Sequence, residues 1–439
     1  MEITLEELLA AREERANTQK ELILTHGAPL VSFTLNIAGP EKTSPKIERA
    51  FDVGAALIRS EISDLQIIDE RESRTKCGPV LLFSVRTDAR ELKDRLVKIE
   101  DAHPLGRLFD MDVIDGSGEH LSRRRERGCI VCGAPGRACA AGRLHPVSQI
   151  IAKTDEILTG YFKAADADRI ALLARDALVL EVYTAPKPGL VDPESRGSHP
   201  DMEISDFVRS AEALVPYFYD SVIAGFESKS APPADLFPTL RRLGAEAERR
   251  MYLATGGKNT HKGAVFSFGI ILGAVGRLMR CDGKMPDVTG ILDAAKEIAG
   301  GHIEAELSAL SGTTAGERAY LEYGMRGIRG EAADGFPSVR NISLPYYREA
   351  LIRGKNKNDA GVLALLHLIA NVYDTCLYKR GGKEGLDYAR SRAAALISGG
   401  EPSLDEIRAA DEDFTERNLS PGGCADLLAV TYLLASLEE

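Results

Sequence analysis

Residues 30–36 read Leu-Val-Ser-Phe-Thr-Leu-Asn, with apolar Val31, Phe33 and Leu35 alternating with polar Ser32, Thr34 and Asn36. A period of two places one set on each side of the backbone, as a half-buried strand requires. On its amino-terminal side, Thr4 with Glu7 has the form of a capping box, which predicts a first helix carrying Leu5, Leu8 and Leu9. On its carboxy-terminal side, Val80 to Val85 and Gly106 to Ile114 are further strand candidates. Up to about Phe162 helices alternate with such runs, and beyond it the pattern changes. Lys163 to Asp168 is small and polar and suits a linker, and Ile170 to Val182 is apolar almost throughout, as a helix buried on most sides would be. Helical periodicity returns at Asp206–Tyr219, Ala264–Leu278, Ile291–Leu310, Val362–Tyr373 and Ala425–Leu437, with no convincing strand. The expected architecture is therefore multidomain: an α+β module over residues 1–163, then an all-α domain over 164–439, in keeping with a chain of 439 residues.

The formal net charge of −11 gives no global field for a polyanion such as nucleic acid, so a phosphate site must come from a local basic cluster or a metal. Met1 to Arg15 is rich in Glu and has no apolar core, unlike a secretory signal, and the longest apolar stretch, Ala264 to Val275, falls short of the ~20 residues that span a bilayer. A cytoplasmic protein is expected. Seven cysteines, an odd number, argue for reduced thiols.

Gly106-Arg-Leu-Phe-Asp-Met-Asp-Val113 sets Asp110 and Asp112 two apart on a strand, so both carboxylates project from one face and can hold Mg²⁺ against substrate phosphates. A lone D-x-D would more simply be two exposed acids, but here Arg107 is adjacent and Asn36, Gly39, Pro40 and Lys42 form a polar turn after the first strand. Between Ser122 and Arg143 six arginines face one glutamate, a cluster that can dock a triphosphate or an acidic carrier, or serve only as a solvated basic face. The same stretch holds Cys129-x2-Cys132-x6-Cys139-x5-His145, whose ligand types suit tetrahedral Zn²⁺ although the spacing matches no standard zinc module; plain reduced thiols are the simpler reading.

In the second half, Thr255-Gly-Gly-Lys-Asn-Thr-His-Lys-Gly263 lies between two helical patterns. Its glycines Gly256 and Gly257 let backbone N–H groups approach an anion, Lys258, His261 and Lys262 add charge, and the next helix offers its positive end; Asn259 lies in the same loop. Ser420-Pro-Gly422-Gly423 precedes the last helix with the same logic or as a simple helix start, with Asp426 in the first turn. Acids recur beside glycines in Gly316-Glu317, Gly330-Glu331 and Asp334-Gly335, where they could hold magnesium on a triphosphate or stabilise an oxocarbenium ion. Asp374, followed by Arg380, ends an apolar helix. Glu181 lies inside the most apolar helix, where an unpaired charge would be costly, so a partner is expected.

Two long resemblances accompany these residues. "LVSFTLNIAGPEKTSP", "HPLGRLFDMDVID" and "CIVCGAPGRACAAGRLH" resemble the holo-acyl-carrier-protein synthase of citrate lyase, a phosphoribosyl-dephospho-CoA transferase, over most of residues 1–160. The resemblance implies a nucleotidyltransferase-like module with Asp110 and Asp112 as Mg²⁺ ligands and Arg107, Asn36 and Lys42 near the phosphates. "TAPKPGLVDPESRGSHPDM", "ATGGKNTHKGAVFS", "YGMRGIRGEAADGFPSV" and "SPGGCADLLA" resemble triphosphoribosyl-dephospho-CoA synthase from about residue 168 to the end. That family condenses ATP with 3'-dephospho-CoA and releases adenine. It implies catalytic roles for Glu317, Glu331 and Asp374, substrate contacts from Lys187, the 255–263 loop, Arg329, Arg380, Ser420, Gly422 and Gly423, and Mg²⁺ on Asp374 and Asp426. The chain departs from these patterns at Ala38, where Pro is usual, at Cys376 for Asn, at Lys379 for His and at Cys424 for Ser.

Together the halves would make the citrate lyase prosthetic-group precursor and attach it to a serine of the apo-acyl-carrier subunit with release of pyrophosphate. Two alternatives stay open, the same chemistry serving malonate decarboxylase and a first half that only binds the carrier. A zinc-dependent nucleic-acid module is disfavoured by the acidic balance and the absence of tryptophan.

Overall fold

The computed structural model describes residues 3–309 and 315–439. In chain order the elements are α1 (Leu5–His26), β1 (Leu30–Leu35), α2 (Pro45–Glu61), β2 (Gln66–Thr75), β3 (Gly78–Arg86), α3 (Ala89–Ala102), β4 (Phe109–Ile114), α4 (Gly136–Ala141), α5 (Val147–Tyr183), α6 (Ile204–Glu227), α7 (Phe237–Ala254), α8 (Lys262–Leu278), α9 (Val288–Ser308), α10 (Ala315–Tyr323), α11 (Gly327–Ala333), α12 (Leu344–Ile352), α13 (Lys357–Asn371), α14 (Thr375–Ser398), α15 (Leu404–Glu416) and α16 (Gly422–Ser436). They form two compact units, Met1–Ala165 with Arg280–Gly283 and Asp166–Met279 with Lys284–Glu439. The division falls inside α5, so Lys163 to Asp168 is helical and not the irregular linker its composition suggests. Phe162, Asp166 and Ala167 are buried, which explains why this short polar run stays in the helix.

In the first unit the sheet has strand order β2-β3-β1-β4 with every neighbouring pair antiparallel. The expected alternation of β1 decides its two faces. Val31 and Phe33 share a face with Leu81, Phe83, Met111 and Val113, and α2 covers it with Ile47, Ala50, Phe51, Ala55 and Ile58 at helical spacing. The Phe33 and Phe51 rings stack at 5.0 Å, and Phe109 meets Phe33 edge-on at 5.7 Å. Each such side chain contributes about 1.5–3 kcal/mol on full burial. On the opposite face Leu22 of α1 packs with Leu30, Leu82 and Ile114. The remainder of that face is polar: Ser32 lies opposite Asp112, and Thr34 opposite Asp110.

The third strand expected from the sequence starts at Phe109 and not at Gly106. Gly106 closes a turn after α3, its N–H donating to the His103 carbonyl at 2.8 Å, and a Cβ there would lie 2.1 Å from the Glu100 carbonyl oxygen. Strand β2 had no signal in the sequence because it is an exposed strand with almost no buried residue, so no apolar alternation marks it. The first helix does begin at the Thr4 capping box.

Among its described residues the second unit contains no strand. Its centre is α8, buried from Ala264 to Gly276 except at Phe266. Helices α6 and α8 approach at glycines. A Cβ on Gly276 would stand 1.9 Å from the Val222 carbonyl oxygen, and one on Gly225 would stand 2.1 Å from that of Gly273. The helix expected over Ile291–Leu310 is α9, and Leu310 lies outside the described residues. The helix expected to reach Tyr373 stops at Asn371 because Asp374 caps α14 instead. No single helix among the described residues is long and apolar enough to cross a membrane.

These contacts predict opposite effects for two alanine substitutions. Gly276→Ala should destabilise the second unit by about 2 kcal/mol or more, because the crowded atom is backbone and cannot rotate away. Gly160→Ala, on α5 with nothing within 4 Å of the added methyl, should stabilise by roughly 0.5–1 kcal/mol. Urea unfolding followed by circular dichroism checks both; equal midpoints would contradict the packing described.

Candidate functional site

Asp110 and Asp112 project from one face of β4, as their spacing requires. Buried side chains of α3 hold the strand. Lys93 donates from Nζ to the Met111 carbonyl at 2.8 Å and lies 3.9 Å from Asp112 Oδ1, while Glu100 accepts the Met111 N–H at 3.0 Å. Glu100 is in turn ion-paired with Arg127 at 2.5 Å and Arg123 at 3.5 Å, although burial still raises its pKa. The sequence did offer a signal for this pair: Lys93 and Glu100 occupy positions of the apolar stripe that Leu92 and Leu96 define.

Two clefts of the first unit share Asn36 and Asp110. One, of about 510 Å³, is lined by Arg12, Arg15, Thr34 and Lys42 among others. The other, of about 1180 Å³, is lined by Arg107, Asp112, Lys93 and the arginines from Arg123 to Arg127. Of the residues singled out in the sequence, Asn36 and Asp110 line both clefts, Lys42 only the smaller, and Arg107 and Asp112 only the larger. Desolvation in the cleft and the charge of Asp112 raise the Asp110 pKa above its ordinary value. Two cations are anchored to backbone: Lys42 Nζ donates to the Ile37 carbonyl at 2.5 Å, and Arg107 donates to that of Gly128 at 2.5 Å. Desolvation followed by the neighbouring Arg127 and Arg123 lowers the Arg107 pKa. Cys129, Cys139 and His145 line the larger cleft, and together with Cys132 they bring their ligand atoms within 4.8 Å of one another. The Ala134 N–H and His145 hold the Cys132 thiol down at about 6.

In the second unit a cleft of about 380 Å³ is lined by Asn259, Lys262, Glu331, Asp374, Gly423 and Asp426, together with residues of 324–330. Asp374 is buried and accepts N–H bonds from Cys376 at 2.6 Å, Leu377 at 3.3 Å and Cys424 at 2.8 Å, so it caps α14 and binds the start of α16. The donors from Cys376 and Cys424 are backbone groups, so these bonds do not require a particular side chain at either position. Asp426 accepts the Ala264 N–H at the start of α8; desolvation, then Glu181 and Asp374, push its pKa well up. Gly263 makes room for it, since a Cβ there would lie 1.9 Å from Asp426 Oδ2. Glu331 accepts from Ser338 Oγ at 2.6 Å and Ser338 N at 3.1 Å, and burial raises its pKa.

Other expected residues lie elsewhere. Gly256 and Gly257 adopt positive φ and end α7, with the Gly257 N–H donating to the Tyr252 carbonyl at 2.7 Å. Lys258 pairs with buried Asp206 at 2.7 Å and Lys262 with Glu248 at 2.9 Å. His261 is buried, with Nδ1 2.7 Å from Ser210 Oγ, and burial pushes its pKa down to about 3. Lys187 is the partner expected for Glu181, at 2.5 Å, and both are buried. Arg380 and Ser420 meet at His199, which the sequence did not single out: Arg380 is 3.2 Å from Nδ1, and Ser420 Oγ is 2.8 Å from Nε2. Gly422 packs on Cys376, Arg329 is exposed on α11, and Glu317 is in the first turn of α10.

Known proteins align with both units. A family model described as apo-citrate lyase phosphoribosyl-dephospho-CoA transferase matches residues 3–161, and one described as ATP:dephospho-CoA triphosphoribosyl transferase matches residues 167–439. The chain is 32% identical to protein CitXG of Leuconostoc mesenteroides subsp. cremoris, covering 99% of this chain and 97% of the relative. It is 33% identical to protein CitXG of Haemophilus influenzae, covering 99% and 96%. Its second part is 40% identical to the 2-(5''-triphosphoribosyl)-3'-dephosphocoenzyme-A synthase of Pectobacterium atrosepticum, covering 59% of this chain and 85% of the relative.

Because Glu181 and Lys187 are both enclosed, Lys187→Met should cost about 3–5 kcal/mol by stranding the carboxylate. Adding Glu181→Gln should restore much of that loss. A double variant no more stable than Lys187→Met in thermal melts would contradict the pairing.

Proposed function

The chain belongs to the CitXG family, in which a phosphoribosyl-dephospho-CoA transferase segment precedes a triphosphoribosyl transferase segment, and from that premise we propose how its two clefts divide the work. It is a bifunctional transferase that matures citrate lyase, with ATP and 3'-dephospho-CoA as substrates. The domains carrying the two reactions are residues 1–163 and 164–439. The observation behind this division is that each unit has its own cleft with paired acids and a cationic rim.

In the second unit a ribose hydroxyl of dephospho-CoA attacks the anomeric carbon of ATP. The bond to adenine breaks, and the hydroxyl proton leaves with the departing base or to solvent. Asn259 and Lys262 receive the triphosphate at the start of α8, where peptide N–H groups favour an anion. Asp374 and Asp426 fit Mg²⁺: neither has a side-chain cation bonded to it, each keeps acceptor capacity, and one or two carboxylates completed by phosphates is how this ion is held. Glu331, oriented by Ser338, faces the developing ribosyl cation, and the enclosing 324–338 segment excludes competing water.

In the first unit the serine Oγ of the apo-acyl-carrier protein bonds to the phosphorus next to ribose. The bond to pyrophosphate breaks, and the serine proton passes to solvent or a nearby carboxylate. In this reading the module is nucleotidyltransferase-like: Asp110 and Asp112, on one face of the sheet, would hold Mg²⁺, and the bound ion would supply positive charge to the pyrophosphate leaving group. Asn36, Lys42 and Arg107 orient the phosphates, and the 123–127 arginines receive the carrier. Both reactions take place in the cytoplasm, where the carrier subunit and nucleotides are available.

Incubation with ATP, dephospho-CoA, Mg²⁺ and apo-carrier, followed for adenine, pyrophosphate and carrier mass, separates the steps. Asp110→Asn should lower carrier modification at least ~100-fold and leave adenine release unchanged. Asp426→Asn should do the reverse when preformed precursor is supplied, and in metal-free buffer it should raise the unfolding temperature, since it removes a disfavoured charge. Full activity of either variant in its own step removes that residue from the site.

The raised Asp110 pKa also sets a pH dependence. The carboxylate form that binds metal is lost as pH falls through a value above the ordinary Asp range, so transfer should fail at higher pH than an exposed aspartate would allow. Increasing Mg²⁺ should move this acid limb to lower pH. An acid limb independent of Mg²⁺ would count against the acid pair as ligands.

A further inference from the structure

We propose that Cys129, Cys132, Cys139 and His145 bind one structural Zn²⁺ that holds the arginine-bearing wall of the first unit's larger cleft. The four ligand atoms all lie within 4.8 Å of one another. Cys132 Sγ is 3.5 Å from Cys139 Sγ and 3.3 Å from His145 Nε2. Ligands on a tetrahedron with Zn–S of ~2.3 Å stand about 3.7 Å apart, with nitrogen slightly closer, so these separations fit the edges of such a site. They are far too long for a disulfide, whose sulfurs are bonded at ~2.05 Å.

The backbone is shaped for the same purpose. Cys129 N–H donates to the Ala134 carbonyl at 2.6 Å, Gly133 N–H donates back to the Cys129 carbonyl at 2.9 Å, and Gly133 takes φ +74°. This tight turn aims both thiols of the C-x2-C pair to one side, where the Val131 N–H donates to Cys129 Sγ at 3.4 Å. Helix α4 brings in Cys139, and the turn after it brings in His145, whose other ring nitrogen is 3.1 Å from Gln149 Oε1. An amide oxygen accepting that N–H is the usual outer support of a metal-bound histidine and leaves Nε2 free to coordinate.

A second, independent observation is what the segment lacks. Between residues 121 and 150 Cys139 is the sole buried residue. A stretch of that length without a core needs another source of order, and a metal tying four side chains together supplies it. With four protein ligands the ion keeps no open position, which makes it structural. Its placement gives it a consequence for the site. Arg107 donates to the carbonyl of Gly128, next to Cys129, and Arg127 donates to the carbonyl of Phe109 at 2.7 Å, on the strand that carries Asp110.

The test uses the full chain purified under reducing conditions, with metal measured by mass spectrometry. About one zinc per chain is expected, falling below about 0.1 in Cys132→Ser and Cys139→Ser, while adenine release by the second unit stays unchanged and shows the variants to be folded there. Co²⁺ exchanged into the wild type should give the intense visible bands of a tetrahedral thiolate site, and His145→Cys should keep the metal that His145→Ala loses. Wild-type protein with less than about 0.1 metal per chain and no Co²⁺ bands, a Cys132–Cys139 disulfide in its place, or full zinc retention by Cys139→Ser would overturn the proposal. The metal readout does not depend on the transferase assignment; loss of carrier modification together with the zinc would extend the proposal to the arginines.

Discussion

Glu181 sits in the most apolar stretch of α5 with the Lys187 ammonium folded back on it at 2.5 Å, and the same ammonium donates to the Glu181 carbonyl at 2.6 Å. An isolated carboxylate in that position would be prohibitively unfavourable, so the chain must turn sharply after Tyr183 to return the lysine. The turn then organises the segment beyond it. Lys187 N–H donates to Asp192, Gly189 N–H to Asp411, and Ser198 Oγ to the Leu419 carbonyl at the approach to α16. From there α16 carries Asp426 into the cleft, and Cys424 supplies an N–H to Asp374. One charge-pairing requirement thus reaches the second unit's candidate site through a series of named hydrogen bonds.

The first unit meets the same requirement with other residues. Glu100 is buried beneath β4 and matched by Arg127 and Arg123, which come from the segment that closes the larger cleft. The match positions the strand, because Glu100 also takes the Met111 N–H between the two aspartates. Asp110 and Asp112 remain without so close a cation; Lys93, 3.9 Å from Asp112, is already committed to a carbonyl. In each unit, then, one buried acid is neutralised by a nearby cation, while Asp110 and Asp112 in the first and Asp374 and Asp426 in the second have no cation so close among the described residues.

The 255–263 loop shows how much of a glycine-rich, cationic composition can be used structurally. Its glycines end α7 through positive φ, and two of its cations pair with Asp206 and Glu248. Gly263 and the start of α8 nevertheless border the cleft, with Asp426 filling the space a side chain would have taken. Glycines in such a loop therefore reflect helix termination and close approach as well as any contact with phosphate.

Local periodicity was enough to determine β1, β3, the capping-box helix, the long apolar helices and the shared face of Asp110 and Asp112, because spacing of two or of 3.6 is a property of the backbone alone. The long motifs likewise carried the family. Tertiary structure alone decided that exposed β2 pairs at all, that 163–168 stays helical, that Lys187 answers Glu181, that Arg380 and Ser420 meet at His199, and that three thiols and an imidazole converge. Each of these depends on which charges and surfaces are withdrawn from water together. That is settled by the three-dimensional surroundings of each group, near in the chain for Glu181 and Lys187 and distant for His199 and Ser420, and spacing alone does not fix it.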